Sequence, residues 1–201
     1  EHEEILLVDV SDRSELVKAF LEGLVLSHYQ FLKYKTDQGG KEDDTKQKNP
    51  LKRVQVLSEG LSEDDLNSIE ILCSGVFHAR DLINEPLSRL NAVQLGEEFQ
   101  RLAGEAGYNI DVFNKKKIES LRLYGLLAVN RGSVDPPTFS VMEWKPDNPR
   151  NEKPIVLIGK GIVYDTGGIS LKPTSGMLDM KSDMAGGATV AGIMYAAARS
   201  K

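Results

Sequence analysis

Apolar residues recur along this chain with two different periods, and the periods outline the elements. Residues 5–10 alternate weakly and predict a strand. From 11 to about 35, Val17, Phe20, Leu21, Leu24, Val25, His28, Phe31 and Leu32 return at three- and four-residue spacing, which predicts a long amphipathic helix. A polar, charge-rich stretch over 38–50 reads as a surface loop, and 51–57 alternates like a half-buried strand. Ser62 followed by Glu63, Asp64 and Asp65 makes a helix start with an acidic first turn. Leu66, Ile69, Cys73, Val76 and Phe77 supply that helix with a stripe, and Asn84-Glu85-Pro86 stops it after about Ile83.

Beyond this point the pattern becomes regular. A helix is predicted over 92–106, capped by Asn91 and closed by Gly107, then a strand over 108–113 and a short helix over 116–121. The apolar run 125–129 reads as a buried strand and 138–144 as an alternating one. After a polar turn at 147–153, the β-branched run 155–158 reads as a buried central strand ending in glycines, and 184–198 as an Ala/Gly-rich helix. Helices alternating with short strands indicate an α/β fold, here a mixed sheet with helices on both faces, preceded by the end of a smaller α/β domain. The expected division is 1–60, a connecting helix over 61–83, and a second domain over 84–201.

Composition narrows the function classes. With 40% hydrophobic and 27% charged residues in 201 the chain is of ordinary globular make-up. The net charge of -5 leaves no basic face for nucleic acid, and no apolar run approaches the roughly 20 residues needed to span a bilayer. The sole cysteine, Cys73, excludes an internal disulfide, fits a reducing compartment and reads as core filler.

Candidate chemistry gathers after the run 155–158, at the carboxyl end of a strand, where α/β sheets place their sites. Lys160, Asp165, Lys172 and Asp183 follow it at short intervals among glycines. Two carboxylates and two lysines on one glycine-lined crevice suggest a metal site. Each also has an ordinary alternative: Lys160 can form an ion pair with Asp165, Asp165 can bond its own turn, Asp183 can cap a helix, and Lys172 can be an exposed loop lysine. Other motifs fail. A phosphate-binding loop needs glycine at 154, which is Pro154; a dinucleotide fingerprint needs it at 164, which is Tyr164; His2, His28 and His78 form no zinc-binding pair. Asp165-Thr166-Gly167 matches the triplet of aspartic proteases, but those are all-β chains.

Taken together these residues resemble the cytosolic leucyl aminopeptidase family, the M17 metalloaminopeptidases. The resemblance rests on an ordered set: Ala-Arg-Asp-Leu-Ile-Asn-Glu-Pro at 79–86, Gly-Leu-Leu-Ala-Val-Asn-Arg-Gly-Ser-Val-Asp-Pro-Pro at 125–137, Gly-Lys-Gly-Ile-Val-Tyr-Asp-Thr-Gly-Gly-Ile-Ser-Leu-Lys-Pro at 159–173 and Met-Lys-Ser-Asp-Met-Ala-Gly-Gly at 180–187. It covers about 75 to 201. The resemblance implies that Lys160, as a neutral amine, Asp165, as a bridging carboxylate, and Asp183 ligate metal. It makes Lys172 the lysine that polarises the scissile carbonyl, and Met180 the wall of the first side-chain pocket. Two divalent ions, Mn or Zn, would serve a peptide substrate with a free N-terminus in a cytoplasmic homohexamer.

One departure counters this match. The family's second metal segment, Asn-Thr-Asp-Ala-Glu-Gly-Arg, occurs nowhere in these residues. The expectation is therefore an internal fragment with about half of the ligands, inactive alone, with apolar surface left uncovered. The alternative class is a non-catalytic scaffold that binds a partner or a single metal.

Overall fold

A computed structural model describes residues 3–10, 13–35 and 51–200, so the loop expected over 38–50 lies outside the described residues. The chain divides into two compact units, Glu1–Cys73 and Ser74–Lys201.

In the first unit β1 (Glu4–Val8) lies parallel to β2 (Arg53–Leu57), with Glu4 opposite Arg53 and Val8 opposite Leu57. Alternation decides which face is covered. Leu7, Val54 and Val56 pack toward Val17 and Leu21 of α1 (Ser14–Ser27) and toward Ile69 and Cys73, whereas Leu6 and Leu57 point outward. Cys73 is thus core filler, as its place in the stripe predicts. The helix expected over 11–35 is shorter than its pattern. Ser27 Oγ and His28 Nδ1 both reach the Leu24 carbonyl, at 2.8 and 3.0 Å, and this local side-chain bonding marks the end of the ladder. Position 11 is outside the described residues.

The helix α2 (Glu63–Asn84) opens with the expected cap: the Asp65 N–H donates to Ser62 Oγ while the Ser62 N–H donates to Asp65 Oδ2, at 3.2 and 3.1 Å. Lys18 Nζ, 2.6 Å from Asp65 Oδ1, is the main reason that this carboxyl is held down at about 2, with the Ser62 bonds adding to it.

In the second unit α3 (Ala92–Ala106) begins with a capping box between Asn91 and Gln94 and ends at Gly107 in the left-handed conformation. It packs against α7 (Ala185–Arg199) and against β3 (Asn109–Phe113), which pairs antiparallel with β4 (Phe139–Glu143). Leu82, Leu90, Leu95, Phe99 and Leu102 meet Met184, Ala188 and Ala191 in the core, and small residues on α7 let the layers approach closely. His78 stands edge-on to Tyr195 with ring centroids 4.6 Å apart; burial, then the charge of Arg101, lowers its pKa. The α/β class therefore holds, with parallel pairing in the first unit and antiparallel pairing in the second.

Two sequence expectations fail here. Residues 125–129, expected as a strand, lie in the helix α5 (Tyr124–Asn130), which follows α4 (Lys115–Ser120) after a turn with Arg122 at φ 56°. A run of Gly, Leu, Leu, Ala and Val is too short for periodicity to tell strand from helix, and no described strand offers it a ladder. The run 155–158, expected as a buried central strand, forms no regular element and is exposed, Ile158 by 93%. An apolar run becomes a strand only where a neighbour accepts its backbone bonds, and β3 and β4 pair only with each other among the described residues.

Candidate metal and peptide site

All five residues singled out by the sequence lie in the second unit, on three pieces of backbone. The first is the irregular stretch 159–172. Its start is pressed onto the beginning of α7: the Gly187 N–H donates to the Lys160 carbonyl at 2.7 Å, and a Cβ on Gly159 would sit 2.8 Å from Gly187 Cα. No real side chain tolerates that approach, so the glycine is a steric requirement. Val163 anchors the stretch further along by packing against the main core. The second piece is a 3-10 turn (Leu178–Ser182) after the one-turn helix α6 (Thr174–Met177), and the third is the α7 start that follows Asp183.

Lys160 pairs with Asp183, Nζ to Oδ1 3.0 Å, and not with Asp165 as spacing alone suggests. Its side chain is half exposed, so the desolvation penalty expected of a lysine behind a buried strand does not arise. Asp183 is mostly covered, and its Oδ2 is buried with no hydrogen-bond partner. It does not cap α7 either: Met184 takes the N-cap position and no side chain caps the helix. A buried carboxylate oxygen left bare costs free energy in the fold and is a position where a cation would be stabilised.

Asp165 realises its turn alternative. The Gly167 N–H donates to its Oδ1 at 2.8 Å, and Gly167, at φ 90°, holds a conformation that a Cβ would strain. The other oxygen, Oδ2, lies 2.9 Å from Lys172 Nζ. That ammonium first, the Gly167 N–H second and the more distant charge of Lys160 lower the pKa of Asp165, against a smaller opposing effect of desolvation. Lys172 also donates to the Asp165 carbonyl at 3.1 Å and contacts Met180 Sδ at 3.0 Å, so it is a partnered residue and not a loose loop lysine.

Two carboxylates, two ammonium groups and a thioether are thereby held together, with Met180 on the 3-10 turn and Asp183 directly after it. Among the described residues no group of three or more His, Cys, Asp or Glu is placed to hold a metal ion. The structure adds residues that sequence reasoning passes over. Tyr164 Oη donates to the Met177 carbonyl at 2.8 Å and Lys181 Nζ to the Asn84 carbonyl at 3.0 Å. Both were visible as polar residues inside the quoted motifs, but nothing in their spacing names a carbonyl 97 residues away.

Known proteins resemble this chain along most of its length. The sequence profile of the cytosol aminopeptidase family, catalytic domain, matches residues 77–201. A probable cytosol aminopeptidase of Chloroherpeton thalassium is 38% identical over 195 residues, covering 92% of this chain and 38% of that protein. One from Chlorobaculum parvum is 39% identical over 210 residues, covering 97% and 42%. Among solved structures, the bottromycin maturation enzyme BotP in complex with Mn superposes with a TM-score of 0.77 at 30% identity, covering 98% of this chain and 40% of that one. The leucine aminopeptidase of Caenorhabditis elegans reaches 0.79 at 24% identity, covering 98% and 37%, a likeness of fold. The chain thus spans about two fifths of the length of these relatives. On a profile match over residues 77–201 and on these relatives, the chain belongs to the cytosol aminopeptidase family.

Proposed function

We propose that this chain carries the first part of the site of a metal-dependent aminopeptidase, one that releases leucine-like N-terminal residues from peptides. The observation that carries the proposal is the buried, unpartnered Oδ2 of Asp183 beside the Lys160 amine, directly after the turn that holds Met180. Lys160, Asp165 and Asp183 would hold divalent metal, Mn or Zn, and their donor set suits it: hard carboxylate oxygens plus an amine that ligates once its proton is lost. The Mn named in the BotP complex supports that choice. A bound pair of ions would supply Lewis acidity at the first peptide bond.

The chain's own residues supply the rest. Asp165, kept ionised by Lys172 and Gly167, offers an anionic oxygen at neutral pH without a proton to lose. The Lys172 ammonium, held against Asp165 and Met180, would polarise a substrate carbonyl and steady the charge that develops on it. Met180 offers an apolar, adaptable wall to the first side chain. The Asn-Thr-Asp-Ala-Glu-Gly-Arg segment of the family is not among these residues, so we expect metal binding without turnover from the 201-residue chain. The proposal extends to a cytoplasmic setting, which the relatives' names support, and to homohexameric assembly of the longer protein. No described helix is long and apolar enough to cross a membrane.

Calorimetric titration with Mn2+ tests the reading beside Asp165→Ala and Asp183→Asn, with leucine amide hydrolysis as a second assay. About one ion per chain is expected from a half-set of ligands, abolished in Asp183→Asn and without hydrolysis. Unchanged affinity in Asp183→Asn overturns the metal assignment, and hydrolysis by the chain alone overturns the incompleteness.

A further inference from the structure

The 3-10 turn over Leu178–Ser182 presents Met180 and leads into Asp183, yet none of its residues is buried. Apolar packing therefore cannot fix where the turn sits. Its internal bonds, Asp183 N–H to the Met180 carbonyl at 3.2 Å and Ser182 Oγ to the Asp179 carbonyl at 2.5 Å, shape it but tie it to nothing else. Tyr164 holds the carbonyl of Met177 just before it, and Met184, 1% exposed, is buried just after it. From within the turn, Met180 Sδ meets Lys172 Nζ of the irregular stretch at 3.0 Å, and Lys181 Nζ donates to the backbone carbonyl of Asn84, at the end of a helix, at 3.0 Å.

That carbonyl belongs to the last residue of α2, at the negative end of a 22-residue helix, where a cation is favoured. Leu82, two residues back, is packed in the main core, so the anchor point is rigid. Met180 and Asp183 lie one residue before and two residues after Lys181. A shift at Lys181 moves both, and with them the Lys172 and Lys160 amines they contact.

We propose that Lys181 is a positioning residue: by clamping the 3-10 turn to the carboxyl end of α2, it sets where the Asp183 carboxylate and the Met180 side chain stand. This rests on the metal reading above, in which those two residues face ion and substrate. The charge on Lys181 is used for the clamp and touches neither.

The test compares Lys181→Met, which keeps the length and apolar stem but not the donor, with Lys181→Arg, which keeps a donor. Hydrogen exchange of the amides over 180–184 is expected to speed up about 10-fold or more in Lys181→Met and to stay near normal in Lys181→Arg, with α3 protection unchanged in both. Mn2+ affinity should fall about 10- to 100-fold in Lys181→Met, as for residues that orient a ligand from behind, and recover in Lys181→Arg. Unchanged exchange over 180–184 in Lys181→Met overturns the proposal. So does loss of α3 protection together with the turn, because the lysine would then merely stabilise the unit. If Asp183→Asn keeps its Mn2+ affinity, the metal reading fails by itself, and the exchange experiment still decides whether Lys181 places the turn.

Discussion

The packed layer of α3, β3, β4 and α7 and the irregular stretch 155–172 belong to the same unit and are stabilised in opposite ways. In the layer, Leu102, Ala188 and Ala191 have no exposed surface, and α3 is closed at both ends by its own caps. The stretch has exposed Ile155, Val156, Ile158, Ile169 and Leu171, and is held by glycine contacts, Val163 and two lysine–carboxylate pairs. Most of the residues proposed to carry chemistry sit on the loosely covered region and the packing lies in the other, which is the usual division between a scaffold and the segments that carry function. Polar side chains on the stretch can engage a ligand because the fold does not consume them in a core.

The contrast is most sharply broken by paired truncations. Leu102→Ala should lower stability by about 2–5 kcal/mol in urea unfolding, the range for a large-to-small change in a closed core. Ile158→Ala should stay within about 0.5 kcal/mol, as for a surface change. Equal losses would mean that the stretch is packed in solution after all.

A smaller effect separates glycines within the stretch. Gly159→Ala forces a Cβ against Gly186 and Gly187, and should cost about 1–3 kcal/mol as overpacking does, and weaken Mn2+ binding with it. At Gly161 an added Cβ meets nothing within 4 Å, so Gly161→Ala should leave both readouts near wild type. Indistinguishable variants would remove the steric account of the Lys160 docking.

Titration gives the smallest differences. In the packed region His78 has its pKa lowered by burial below the ordinary 6.5, so the unfolded chain takes up the proton first. Stability should fall as pH drops below 6.5 and level off once the folded imidazole is also protonated, and His78→Gln should flatten that step in melting temperature. On the stretch the direction is the same, but folding favours the charged form of the group and not the neutral one. Asp165 titrates below the ordinary 3.8, so what its pairing with Lys172 contributes is present above 3.8 and lost as pH falls through the lowered value. Because both side chains are partly exposed the effect on stability is small, and carboxyl NMR is the better readout. A midpoint at or above 3.8 would show that the pair does not persist in solution.

Legibility followed the same divide. The α3 boundaries, its Asn91 cap and its Gly107 stop could be read directly, because caps and helical periods are local and agree with the packing. So could the Ser62 start of α2, β3 and β4. The overlong α1, the helix at 124–130 and the missing strand at 155–158 were misread, because a bare apolar run does not say what will stand beside it. The site residues were legible as a set through their motifs, but not their partners. Spacing favours Lys160 with Asp165, yet the structure crosses the pairs.

By itself the sequence determined the α/β class, the family and which side chains could carry chemistry, since residue type, local period and ordered motif are properties of the chain alone. Tertiary structure decided which lysine meets which carboxylate, which Asp183 oxygen is left bare in the interior, and that Lys181 reaches the end of a helix 97 residues away. Those depend on distances between segments far apart in the chain, which no local pattern encodes and only the packing of the core sets.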